Sequence, residues 1–80
     1  MTEFRNYLPK WQQIAKIVRQ RIESGEYPPG KLISERWMVD EFGVAGGTAR
    51  KAIKALRDDG LVFTRVNMGS FVGPEPPEDE

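Results

Sequence analysis

Three features predict a mainly α-helical domain, three helices closed by a small β-hairpin. Apolar residues recur at helical spacing in three stretches, glycine or proline bounds each stretch, and two β-branched and aromatic runs flank Asn67-Met68-Gly69. At 80 residues, with 39% hydrophobic and 30% charged side chains, the chain has the material for one globular core. A domain of this size buries only about 60% of the surface its unfolded chain exposes, so a deep substrate pocket beside that core is not expected.

The first helix is read over residues 8–24, where Trp11, Ile14, Ala15, Val18 and Ile22 fall at i, i+3, i+4, i+7 and i+11 on one face. Gly25 stops it. Tyr27-Pro28-Pro29-Gly30 cannot continue a helix, because a proline restricts the residue before it and supplies no backbone donor, so an ordered turn follows. Lys31-Leu32-Ile33 is long enough only for an edge strand. Ser34 is placed to cap a second helix over residues 35–42, with Glu35, Asp40 and Glu41 outward and Trp37, Met38 and Val39 available to the core. After the link Gly43-Val44-Ala45 a third helix runs to about Asp59 and stops at Gly60. Residues 61–66 and 70–72 read as two strands, and Asn67 and Gly69 suit the left-handed conformations of a tight hairpin turn. The helical spacing of Trp11 and Trp37 puts both in or beside the core, not on a base-stacking surface.

The third helix has two unlike faces. Measured from Ala49 at about 100° per residue, Ala52, Ile53 and Leu56 lie at about 300°, 40° and 340°, whereas Arg50, Lys51, Lys54 and Arg57 spread over about 80° to 200°. One face packs and the other is purely basic. The formal net charge of zero hides this asymmetry. Residues 1–73 carry 12 Lys/Arg against 8 Asp/Glu, a charge of +4, and residues 74–80 carry 4 acids and no base, a charge of −4. With three prolines among those seven residues there is nothing to bury, which predicts a disordered Pro/acidic tail. Such a tail either solubilises the end of the domain or competes with phosphates for the basic face.

Several function classes are disfavoured. With no cysteine and no histidine the chain has no disulfide, no Cys/His metal site, no thiol nucleophile and no imidazole base. Asp58 and Asp59 are adjacent carboxylates, but nothing in the sequence converges on them to make a catalytic pair. Residues 43–48 lack the lysine of a phosphate-binding loop. No enzyme, metal or cofactor is therefore expected. The short apolar runs and the absence of a signal-peptide pattern in residues 1–7 predict a cytoplasmic protein with no membrane partner.

Three helices and a hairpin, with helices two and three joined by a tight glycine-containing turn, is the order of a winged helix-turn-helix. In that motif the second helix of the pair enters the major groove of DNA and presents its N-terminal residues to base edges. Here that helix is the basic one. Arg50 is the expected base reader, since an arginine can bond guanine O6 and N7 together, and Lys51 and Lys54 are expected on base edges or nearby phosphates. Arg57, about two turns further on, suits the helix C-terminus. Gly46 and Gly47, without side chains, let their amides and that of Thr48 approach a phosphate at the positive end of the helix. Arg65, on the wing, is expected at the DNA backbone unless an acid across the sheet claims it.

The chain resembles the N-terminal DNA-binding domain of the GntR-type bacterial transcription regulators. The likeness runs over residues 7–72 and rests on an ordered set of motifs. These are Trp11-Gln12-Gln13-Ile14, Ile22-Glu23-Ser24-Gly25-Glu26-Tyr27-Pro28-Pro29-Gly30, Leu32-Ile33-Ser34-Glu35-Arg36 and Phe42-Gly43-Val44. Gly47-Thr48-Ala49-Arg50-Lys51-Ala52, Leu56, Gly60-Leu61-Val62 and Gly69-Ser70-Phe71-Val72 complete it. The resemblance implies a repressor that binds an inverted-repeat operator as a dimer, usually with a ligand-sensing domain after the DNA-binding one. It implies that Arg36 meets the phosphate backbone, that Thr48 and Arg50 belong to the recognition helix, and that Gly69 approaches the minor groove; Asn67, on the same wing turn, is a further DNA-binding candidate.

Four departures bear on that reading. Ala45-Gly46 stand where the family commonly has a serine cap followed by an arginine, and Asn67-Met68 where the wing commonly has Gly-Arg. Ile33 replaces a proline, which loosens the start of the second helix, and no effector domain follows Gly73 in these residues. The departures keep two alternatives open: a winged-helix module that binds a protein partner, and a small DNA-binding accessory factor of plasmid maintenance or recombination that acts without an effector.

Overall fold

The computed structural model describes residues 4–76. Helix α1 spans Lys10–Glu23, α2 Glu35–Phe42 and α3 Gly46–Asp58, followed by strands β1 Val62–Arg65 and β2 Gly69–Val72. This is the expected winged order. The first helix starts at Lys10 because Pro9 has no N–H to give and serves as N-cap, its carbonyl accepting from the amides of Gln12 and Gln13 at 3.2 and 3.3 Å. Ser34 caps α2 as expected, its hydroxyl accepting from the Trp37 amide at 2.9 Å. Gly43 follows α2 at φ 65°, a left-handed turn that swings the chain into α3. Ala45 stands at the N-cap of α3 and makes no side-chain capping bond.

The two strands pair antiparallel with Val62 opposite Val72, Phe63 opposite Phe71, Thr64 opposite Ser70 and Arg65 opposite Gly69. The expected edge strand contributes a single bridge, Leu32 to Phe71, beside three backbone bonds that tie residues 30–33 to β2. The Ile33 amide donates to the Ser70 carbonyl at 2.7 Å, and the Gly30 amide to the Val72 carbonyl at 2.9 Å. The wing is thereby anchored to the turn that precedes α2.

One core lies beneath these elements. Ile14 and Val18 of α1, Met38 of α2, Leu56 of α3, Ile33 and Val72 are fully buried. Trp11 and Trp37 pack partly buried against that core, and Trp37 meets Tyr27 and Phe42 edge-on at 5.6 and 6.1 Å. Charged stitches run around the outside: Arg19 pairs with Asp59 beyond the end of α3, and Arg21 reaches Glu41 on α2 at 3.3 Å. The Arg21 guanidinium is held above its usual range, chiefly by its hydrogen bond to the Tyr27 hydroxyl, with burial opposing and Glu41 adding. Among the described residues no helix is long and apolar enough to cross a membrane. Of the Pro/acidic tail, Pro77, Glu78, Asp79 and Glu80 lie outside the described residues.

Candidate nucleic-acid interface

Helix α3 buries Ala49, Ala52, Ile53 and Leu56 and exposes Arg50, Lys51, Lys54 and Arg57. The helical period alone requires this split: four alanine-sized or branched apolar residues on one side leave the long cations no place but solvent. Gly47, Arg50, Lys51, Lys54 and Arg57 line one shallow surface groove. At its N-terminal end, a Cβ placed on Gly46 or Gly47 would meet nothing within 4 Å. The fold therefore has no steric need for glycine at either position. Thr48, next in the chain, is half-buried.

Most of the expected contact cations are held by an oxygen of the protein itself. Arg50 donates from Nε and Nη2 to the two carboxylate oxygens of Glu35, at 3.2 and 3.3 Å. Arg36 pairs with Asp40 at 3.0 Å and Lys54 with Asp58 at 2.9 Å, both one turn along their own helix. Arg65 pairs with Glu75 at 3.4 Å, an acid that follows the wing and not one across the sheet. Arg57 donates to the Thr64 hydroxyl at 3.2 Å, tying α3 to β1. Exposed pairs of this kind are worth at most about 1 kcal/mol, so a phosphate or a guanine edge can displace the carboxylate at small cost. The adjacent acids Asp58 and Asp59 are drawn to different cations, Lys54 and Arg19.

The wing presents two faces. Val62, Ser70 and Val72 point inward, with the Thr64 and Ser70 hydroxyls 2.9 Å apart, while Phe63 and Phe71 lie on the other face with ring centroids 5.7 Å apart. Its tip is a tight turn in which the Met68 amide donates to the Arg65 carbonyl at 3.1 Å and Asn67 takes φ 65°. Gly69 sits at φ 110°, and a Cβ there would lie 3.1 Å from Leu32 Cδ1, so backbone conformation and close packing both call for glycine.

The expected site residues therefore lie on three elements. Gly46, Gly47, Thr48, Arg50, Lys51 and Lys54 lie along α3, and Arg65, Asn67 and Gly69 lie on the wing. Arg36 stands on α2, 86% exposed. Sequence reasoning missed Glu35 and Glu75 as partners of these cations. Glu35 lies 15 positions from Arg50, and only the crossing of α2 and α3 brings them together. Glu75 was visible in the sequence only as part of an acidic run.

Residues 10–72 match the bacterial regulatory proteins of the gntR family. The uncharacterized HTH-type transcriptional regulator YdfD of Bacillus subtilis is 35% identical over 66 residues, which are 81% of this chain and 14% of YdfD. The HTH-type transcriptional repressor NagR of the same organism is 33% identical over 66 residues, 81% of this chain and 27% of NagR. The chain thus spans well under a third of either relative. Among solved structures, AraR(DBD) in complex with operator ORR3 superposes with a TM-score of 0.75 at 34% identity, covering 91% of this chain and 87% of that one.

Proposed function

The chain belongs to the GntR family of bacterial regulatory proteins, and from that premise we propose that it is a sequence-specific double-stranded DNA-binding domain of a transcription repressor in the bacterial cytoplasm. The observation that carries the reading is the third helix, whose exposed face is cationic along its middle and glycine-open at its N-terminus. That arrangement suits a helix lying in the major groove with its first turn toward a phosphate. Arg50 reads a guanine edge, Lys51 and Lys54 meet base edges or neighbouring phosphates, and the amides of Gly46, Gly47 and Thr48 cradle a phosphate. Arg36 and Arg65 hold the backbone, which positions the domain without specifying sequence. Asn67 and Gly69 bring the wing to the adjacent minor groove. Operator-bound AraR(DBD) supports this reading by its likeness in fold and sequence.

On DNA the domain pairs with a second copy across an inverted repeat whose half-sites lie about one helical turn apart. With about four to six phosphate contacts per copy, the log-log dependence of affinity on salt has a slope of about −0.9 for each contact. The test is selection from randomised duplex DNA with the purified chain at two salt concentrations. Enrichment of an inverted repeat is the expected result. Weak binding that enriches nothing and vanishes at the higher salt would reduce the basic face to a non-specific patch.

A further inference from the structure

We propose that the wing tip reads the minor groove by apolar contact, Val66 and Met68 pressing into it on either side of the Asn67 amide, in place of a cation. The inference rests on the reading of the hairpin as the minor-groove element and adds its chemistry: a contact that ignores salt and rejects the 2-amino group of guanine. Val66 is 85% exposed and Met68 67% exposed, the largest exposures among the exposed large hydrophobic residues apart from Tyr7. Both flank Asn67, whose left-handed conformation turns the chain back within a three-residue loop.

No residue from Val66 to Gly69 carries a charge. The nearest cation in sequence, Arg65, belongs to β1 and not to the tip: its guanidinium lies 5.4 Å from the centre of the Phe63 ring and pairs with Glu75 at 3.4 Å, a place assigned above to the DNA backbone and not to the groove. The tip therefore meets DNA with two apolar side chains and one amide. They stand on a fixed base, since the Thr64 and Ser70 hydroxyls are 2.9 Å apart across the strands and Leu32 closes against Gly69.

The minor groove of an A·T pair offers only the acceptors adenine N3 and thymine O2, whereas G·C adds a protruding amino group. An Asn side chain can donate to those acceptors, and methionine is among the residues that wedge between base steps from this groove. An apolar pair gains nothing from phosphate charge, so its contribution survives salt that screens the α3 contacts. The amino group of guanine would be both a steric block and a desolvated donor against Met68. The wing therefore selects A·T pairs at the operator flank.

The experiment uses the duplex enriched by selection, resynthesised in two forms at the wing flank. In one, 2,6-diaminopurine replaces adenine, adding a minor-groove amino group and leaving the major-groove edges unchanged. In the other, inosine replaces any guanine and removes that group. Diaminopurine is expected to lower affinity about tenfold, and Met68→Ala to lower affinity for the parent duplex by about as much, with no change in salt slope. Met68→Ala should also flatten the diaminopurine effect, and Val66→Ala should act in the same direction. Met68→Arg should bind through charge instead, steepening the slope by about 0.9.

Equal affinity for all forms, or a neutral Met68→Ala, while Arg50→Ala still weakens binding, would overturn the wing inference and leave α3 as the reading helix. An absence of any enriched site, with Arg50→Ala neutral as well, would overturn the DNA-reading function and this inference together.

Discussion

The Arg50 guanidinium donates from Nε and Nη2 to the Glu35 carboxylate, so reaching a guanine means exchanging one pair of acceptors for another. Glu35 acts in two ways at once: it repels phosphate, and it holds the arginine in one fork geometry. Replacing Glu35 by Gln should therefore tighten binding to random duplex more than binding to the selected site, narrowing the ratio of the two in fluorescence anisotropy titrations. Arg50 and Arg36 separate in the same assay. Arg50→Ala should relax the requirement at one base pair by about 1 to 3 kcal/mol, because a two-point contact to guanine is lost. Arg36→Ala should weaken all sequences alike and lower the magnitude of the salt slope by about 0.9, because a phosphate contact carries no base information.

The two helices of the DNA-binding pair start differently, and the difference is testable by stability. Helix α2 begins on Ser34, whose hydroxyl satisfies the Trp37 amide. Ser34→Ala should cost about 1 kcal/mol and lower the thermal midpoint in a melt followed by circular dichroism. Helix α3 begins on Ala45 and Gly46, with no side-chain cap to lose. Because a Cβ on Gly46 meets nothing, Gly46→Ala should raise stability by up to about 1 kcal/mol through the unfolded chain. If the Gly46 amide approaches a phosphate, the same variant should bind the selected duplex more weakly. Higher stability with weaker binding marks a glycine kept for its ligand, and unchanged binding would make it a plain turn.

Over the whole molecule, Glu75, the first acid of the Pro/acidic segment, lies against the basic side of the domain. Glu75 pairs with Arg65, and Arg57, Thr64 and Glu75 line one hollow between α3 and the wing. An acid at this place occupies a cation assigned to the DNA backbone, and Glu78, Asp79 and Glu80 follow it within five residues. Neutralising all four acids, Glu75→Gln with Glu78→Gln, Asp79→Asn and Glu80→Gln, should tighten DNA binding at low salt. The gain should fade as ionic strength rises, because screening removes the competition along with the attraction. A solubilising tail predicts no change in affinity at any salt.

The helices, the Ser34 cap, the hairpin and the basic face of α3 were legible in the amino-acid sequence because each depends on residues close in the chain. Helical period separates Arg50, Lys51 and Lys54 from Ala49, Ala52 and Leu56 whatever lies beyond, and Asn67 with Gly69 specifies the turn between two short strands. The motif order carried the family, which the match over residues 10–72 bears out. Tertiary structure alone decided which acid each long-range cation meets. Glu35 finds Arg50 through the crossing of two helices, Arg19 finds Asp59 across 40 positions, and Leu32 joins the wing through a single bridge to Phe71. Local period and capping act over a few residues, whereas these contacts exist only after burial of Ile14, Met38 and Leu56 has fixed how the elements cross.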